Sequence, residues 1–171
     1  ELNGIALASN PRRIPEMESA DQQRFEEAEA WFELGDLDEA LGALDQISPG
    51  VREQPAVLEM RFHVCVKRNQ WEAALEIARD LSRIAPGSLN AATLLACALH
   101  RLGRSEEAYD VVKPACAAFP EESGPPYILS RICCALGRTG EAREWLGAAL
   151  ELGGKELKLQ ALEDEELAAV W

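Results

Sequence analysis

Residues 35–40 read GDLDEA, 103–108 read GRSEEA and 137–142 read GRTGEA, and residues 69–74 fill the gap in the series with NQWEAA. These stretches start 34 residues apart, so Gly35, Asn69, Gly103 and Gly137 share one column, and Ala40, Ala74, Ala108 and Ala142 share another. Four residues further on, Leu44, Ala78, Val112 and Leu146 make a third, apolar column. A fixed period of a few tens of residues marks an array in which each unit buries its apolar face against its neighbours.

On either side of the Gly/Asn column the apolar residues fall at helical spacing. Before it stand Ala28, Trp31 and Leu34, then in later units Leu95, Ala96, Leu99 and Leu102, and Leu129, Cys133 and Leu136. After it come acid-rich openings such as Asp38-Glu39 and Glu106-Glu107, with carboxylates at the positive end of a helix dipole. Gly and Asn tolerate the left-handed conformation that ends a helix. Pro86 and Pro120 close second helices in the same slot. Each unit is therefore expected to be an antiparallel helix pair, over 21–54, 55–88, 89–122 and 123–156.

These slots resemble the tetratricopeptide repeat: a large residue in the first helix, Gly at the turn, a small residue early in the second helix and a closing Pro. They read Trp31/Gly35/Ala40, Cys65/Asn69/Ala74, Leu99/Gly103/Ala108/Pro120 and Cys133/Gly137/Ala142. The resemblance covers residues 21–156 and implies an all-α, right-handed superhelix of four 34-residue helix-turn-helix repeats. It also implies that the first helix of each pair lines a concave groove. One branch of that family clamps a C-terminal carboxylate with Lys and Asn on successive first helices. Phe25 and Glu29 stand at the corresponding places, so the clamp is absent.

Small residues Ala28, Ala96 and Ser130 face the small slots and allow close helix crossing. Phe62 interrupts this pattern and must widen its helix pair or turn its ring outward. Pro49 comes three residues early, so the second helix of the first unit should end near Ile47. Pro114 should kink its helix or distort the preceding turn. Residues 157–171 read as a capping segment, with Leu159 and Leu162 covering the fourth unit, the charged run Glu163–Glu166 as a separator, and a last turn holding Leu167 and Trp171. Residues 1–20, with Pro11 and Pro15, read as an arm. It either docks over the first unit, through Arg12, Arg13 and apolar residues, or is a plain leader.

The chain of 171 residues is 47% apolar and 27% charged, with net charge −13. That is ample for a core and is not a disordered composition. Residues 21–54 hold ten acids against two bases, a net −8. Such a balance argues against nucleic acid, whose binding needs a basic face. No apolar run approaches the roughly 20 residues that span a bilayer, so no membrane partner is expected. Five cysteines without CxxC spacing fit a reducing compartment, and a cytoplasmic location is the expectation.

The positions turned toward the groove include Phe25, Glu29 and Phe32 in the first unit and His63 and Lys67 in the second. Cys97, His100 and Arg101 follow in the third unit, and Tyr127 and Arg131 in the fourth. Aromatics and both histidines concentrate there, and the charge turns from acidic to basic along the array. An aromatic groove with a polar rim suits a peptide or partner segment with apolar anchors and an acidic stretch.

No GxxxxGK[ST], HExxH or GxSxG occurs, and no catalytic residue or cofactor is assigned. Cys97, His100, His63 and Cys134 make a Cys2His2 set by type. Adjacent first helices about 10 Å apart hold such ligands too far from one another, so no metal is assigned. The expected function is a non-catalytic protein–protein interaction scaffold or adaptor. The alternative is a substrate-recruiting module of a larger enzyme whose catalytic domain lies outside this chain. Self-association, through an arm or helix of one copy in the groove of another, is a third route.

Overall fold

In the computed structural model, residues 17–171 are described, and they are helical with no strand among them. Residues 1–16, and with them nearly all of the expected arm, lie outside the described residues. The chain divides into two compact units, one ending at Ala85 and one beginning at Pro86.

The first unit contains α1 (Ser19–Leu34), α2 (Leu37–Asp45), a single turn α3 (Pro49–Arg52), α4 (Pro55–Lys67) and α5 (Trp71–Ile84). The second contains α6 (Leu89–Arg101), α7 (Ser105–Ala118), α8 (Gly124–Ala135), α9 (Thr139–Glu163) and the short 3-10 helix α10 (Glu165–Val170). Helix α1 packs on α2, α4 on α5, α6 on α7 and α8 on α9.

The 34-residue period is visible bond by bond. Gly35 N–H donates to the Phe32 carbonyl and Asp36 N–H to that of Trp31. The same two bonds recur as Asn69 to Val66 with Gln70 to Cys65, and Gly103 to His100 with Arg104 to Leu99. They recur once more as Gly137 to Cys134 with Arg138 to Cys133, at 2.8–3.2 Å throughout the set. This is the Schellman closure, which needs a left-handed residue at its turn. Gly35, Asn69, Gly103 and Gly137 supply it at φ 84°, 59°, 76° and 71°. Asn69 alone does so with a side chain, the residue type whose short amide best tolerates that region.

Five residues past each turn, Ala40, Ala74, Ala108 and Ala142 are fully buried, as are Ala28, Ala96 and Ser130 opposite. Ser130 is a buried polar residue with its hydroxyl satisfied, donating to the Tyr127 carbonyl at 2.7 Å. Phe62 keeps its ring inside, 3% exposed, and sets its edge against His63 with the ring planes at 86°. The outward alternative for that ring is not taken.

In the first unit Phe25, Ala28, Phe32, Leu44, Ile47, Val57, Met60 and Val64 form one core. Asp21 ties the start of α1 to the turn before α3 by accepting the Ser48 N–H at 2.8 Å. Helix α2 ends at Asp45, as the early Pro49 requires. Arg61 of α4 and Arg68, just past its end, reach back to Asp45 and Asp38 at 2.6 and 2.8 Å, bracing α4 against α2. In the second unit Leu129, Ile132, Cys133 and Val112 are buried completely, and α7 continues past Pro114 as one helix. Pro114 is exposed, so the carbonyl that loses its partner faces water rather than the core.

Residues 157–171 depart from expectation in which side chains they bury. Helix α9 is interrupted at Gly154 (φ 63°, ψ −151°), a conformation reserved in practice for Gly, and resumes to Glu163. Leu159 and Leu162 then stand 55% and 54% exposed. The cover comes instead from Ala161, Leu167 and Val170, all buried. The break at Gly154 resets the phase of the resumed helix so that a different stripe is buried, a shift that continuous helical counting does not anticipate.

Candidate functional site

The described residues place the expected site residues in two separate groups. In the first unit, Lys67 near the end of α4 lays its ammonium 3.6 Å from the centre of the Phe32 ring. It also donates to the Phe32 carbonyl at 3.0 Å. That carbonyl belongs to the last turn of α1, where no basic residue stands, so Lys67 supplies from α4 the positive charge the helix end favours. His63 stacks at a tilt on Phe32, ring centres 6.4 Å apart. Phe32, His63 and Lys67 are thus one packed cluster.

Phe25 is a correction to the exposed lining read from the sequence. It is 3% exposed and belongs to the core between α1, α2 and α4. Phe32 is buried as well, and Glu29 lies half-buried on α1.

In the second unit, groups from α6 and α8 converge on two carboxylates of the chain itself. His100 Nε2 meets Glu166 at 2.9 Å, and its Nδ1 meets the Ser105 hydroxyl at 3.1 Å. Arg101 reaches the other Glu166 oxygen at 3.3 Å. From α8, Arg131 lies between both acids, 3.0 Å from Glu166 and 3.2 Å from Asp164. Tyr127, on the turn before Arg131, donates its hydroxyl to Asp164 at 2.6 Å. Helical spacing puts Tyr127 and Arg131 on one face of α8, as it does Cys97, His100 and Arg101 on neighbouring turns of α6.

The acidic partners are themselves held in register. Asp164 caps α10 by accepting the Glu166 N–H at 3.0 Å. Leu167 and Val170, on the other side of the short helix, bury against the unit, and Arg143 holds the Val170 carbonyl at 3.3 Å. The His100 hydrogen bond, opposed by burial and aided by Arg131, holds the Glu166 carboxyl down to about 2. Burial and the Asp164 hydrogen bond push the Tyr127 phenol up. Burial also pushes up the Cys97 thiol, with Arg131 pulling the other way. These are groups of an ion-paired lock.

Sequence reasoning reached the basic side of this group, through His100, Arg101, Tyr127 and Arg131. It missed Asp164 and Glu166, which sit inside a four-residue acidic run that reads equally well as a solvated separator. The available signal was their spacing of two, followed by Leu167 and Val170 three apart. Among the described residues no cluster of His, Cys, Asp and Glu is arranged to hold a metal ion. Nor, among them, is any helix long and apolar enough to cross a membrane.

The repeated helix pairs with their shared turn closure define a helical repeat protein. A family model for the tetratricopeptide repeat matches residues 24–46. One for the anaphase-promoting complex, cyclosome, subunit 3, matches residues 67–149. The chain has the tetratricopeptide-repeat fold. A search of curated proteins finds no match.

Several solved structures share the fold. The MamA 41-end protein from Desulfovibrio magneticus RS-1 is 14% identical, with TM-score 0.71 and 90% of each chain covered. The thermophilic TPR protein TTC0263 of Thermus thermophilus is 23% identical, with TM-score 0.68, over 78% of this chain and 74% of that one. YrrB, described as a TPR protein with an unusual peptide-binding site, is 15% identical, with TM-score 0.62, over 75% and 66%.

Proposed function

We propose that this chain is a non-catalytic protein-interaction scaffold that takes a peptide-like segment of a partner on the first-helix face of its repeats. One observation carries the reading. His100, Arg101, Tyr127 and Arg131, from two different first helices, already grip a short acidic and apolar segment, Asp164–Val170. Repeat helices that only had to be capped need apolar cover at their open end, not four polar groups directed at two carboxylates. The fold shared with YrrB, a protein with a peptide-binding site, is consistent with the same use of the scaffold.

Recognition of this kind works by charge-assisted hydrogen bonds that fix register, with neighbouring apolar residues supplying the buried area. The test is capture of partners from the native host by the chain and by point variants. Arg131→Glu should reduce capture at least tenfold, whereas Glu72→Lys on α5 should leave it unchanged. Equal effects from the two charge changes would remove the α6–α8 face as the site.

A further inference from the structure

Holding two carboxylates with groups from α6 and α8 is a costly way to cap a repeat array. Each contact orders a long side chain, and the pairs are partly exposed to salt. What the arrangement does well is discriminate. It accepts a turn of backbone with acids two residues apart and apolar residues one and four positions after the second acid, as in Asp164, Glu166, Leu167 and Val170.

The helix that leads into the segment is lightly attached. The helix that delivers it, 155–163, presents Leu159 and Leu162 to solvent, and Ala161 is its one fully buried residue. It is joined to the rest of α9 through Gly154, whose backbone conformation breaks the helix. A lead-in helix with few buried contacts behind a glycine break belongs to the part of a fold that opens at least cost.

We propose that Asp164–Val170 is an intramolecular occupant of the α6–α8 face, and that the partner recognised there is a protein segment of the same chemistry, which must displace it. The proposal rests on the reading of that face as a binding site. A tethered occupant acts at an effective concentration in the millimolar range. An external segment making only the same contacts is therefore held off. One that adds apolar contacts, or is presented at high local concentration, takes the face. The apparent affinity is lowered by the fraction of molecules in which the face is open.

The test uses the whole chain and a fluorescent peptide carrying residues 163–171 of this sequence. In the variant Asp164→Lys with Glu166→Lys, Arg131 repels the segment and the face opens. The peptide is expected to bind this variant at least tenfold more tightly than it binds the unaltered chain. Adding Arg131→Glu should abolish the gain, and a peptide with Lys at both acid positions should bind neither protein. Equal binding to the unaltered and opened chains would overturn the intramolecular block while leaving the face as a site. No binding to an opened variant that keeps its helical circular dichroism would overturn the acidic-segment partner itself.

If the double variant loses helix, the decision passes to the unaltered chain. Saturating peptide should then speed hydrogen exchange of the 165–170 amides at least tenfold. Unchanged exchange overturns the proposal.

Discussion

The two units use the same helix pairs and the same turn closure, yet dispose of their cationic residues differently. In the first, Lys67 turns back onto its own unit, covering the Phe32 ring and finishing the C-terminal end of α1. In the second, Arg101 and Arg131 point, alongside the His100 ring, at a segment that arrives from 33 or more residues further along the chain. A cation that caps its neighbouring helix is part of the fold. Cations gathered from separate helices around carboxylates make up the face proposed above for binding, and the difference sets them apart from Lys67 in a chain whose repeats look alike.

The contrast is broken or sharpened first by core truncation. Leu44, fully buried in the first unit, should cost about 2–5 kcal/mol as Leu44→Ala. Leu167 is equally buried, but on the proposal above its segment detaches, so the loss in Leu167→Ala is capped by the free energy that holds the segment down. Denaturant unfolding should show the smaller loss for Leu167→Ala. Equal losses would make Asp164–Val170 an integral part of the core.

Next in size is Arg131→Ala, which leaves Asp164 and Glu166 without their shared guanidinium and should cost about 1–3 kcal/mol. Lys67→Ala in the first unit should cost about 0.5–1 kcal/mol, a helix-end charge and a ring contact at a partly exposed place. Thermal melts of the two variants rank them, and the reverse order would undo the distinction drawn above.

Acid gives a third handle. The Glu166 carboxyl is held at about 2 when folded, below its ordinary 4.5. The stability this contributes is present above 4.5 and drains as pH falls toward 2. His100, Arg101 and Arg131 face the group as cations or hydrogen-bond partners, and Asp164 stands beside it as a second acid. By about pH 3, and discounted for exposure, the unaltered chain should have lost about 1–2 kcal/mol more than Glu166→Gln. Parallel acid curves for the two proteins would show that Glu166 is not held in this way.

The helix pairs were legible because turn chemistry and packing repeat together. Gly35, Asn69, Gly103 and Gly137 mark the turns, and Ala40, Ala74, Ala108 and Ala142 mark the close crossings four times over. The basic half of the site was legible for the same reason, since a known helix phase tells which side chains share a face. Its acidic half was not, because Gly154 resets the phase and no period extends beyond it. Counting through that residue puts Leu159 and Leu162 inward, whereas the structure buries Ala161, Leu167 and Val170. Phe25 was misplaced by a subtler route. Its slot points toward the groove in an ideal array, but in the first unit the core formed by α1, α2 and α4 takes it in.

The chain carries two histidines, one in each group, so the comparison has its own reporters. The central claim is that an acidic segment occupies the face around His100, whereas His63 is engaged with Phe32 and Phe62 inside the first unit. Side-chain nitrogen NMR of the unaltered chain and of Asp164→Lys with Glu166→Lys tests this most directly. The account predicts that the His100 ring signals move when the two acids are replaced and move back when the 163–171 peptide is added to the variant, with His63 still throughout. A His100 signal indifferent to both changes, or His63 moving with it, would contradict the account.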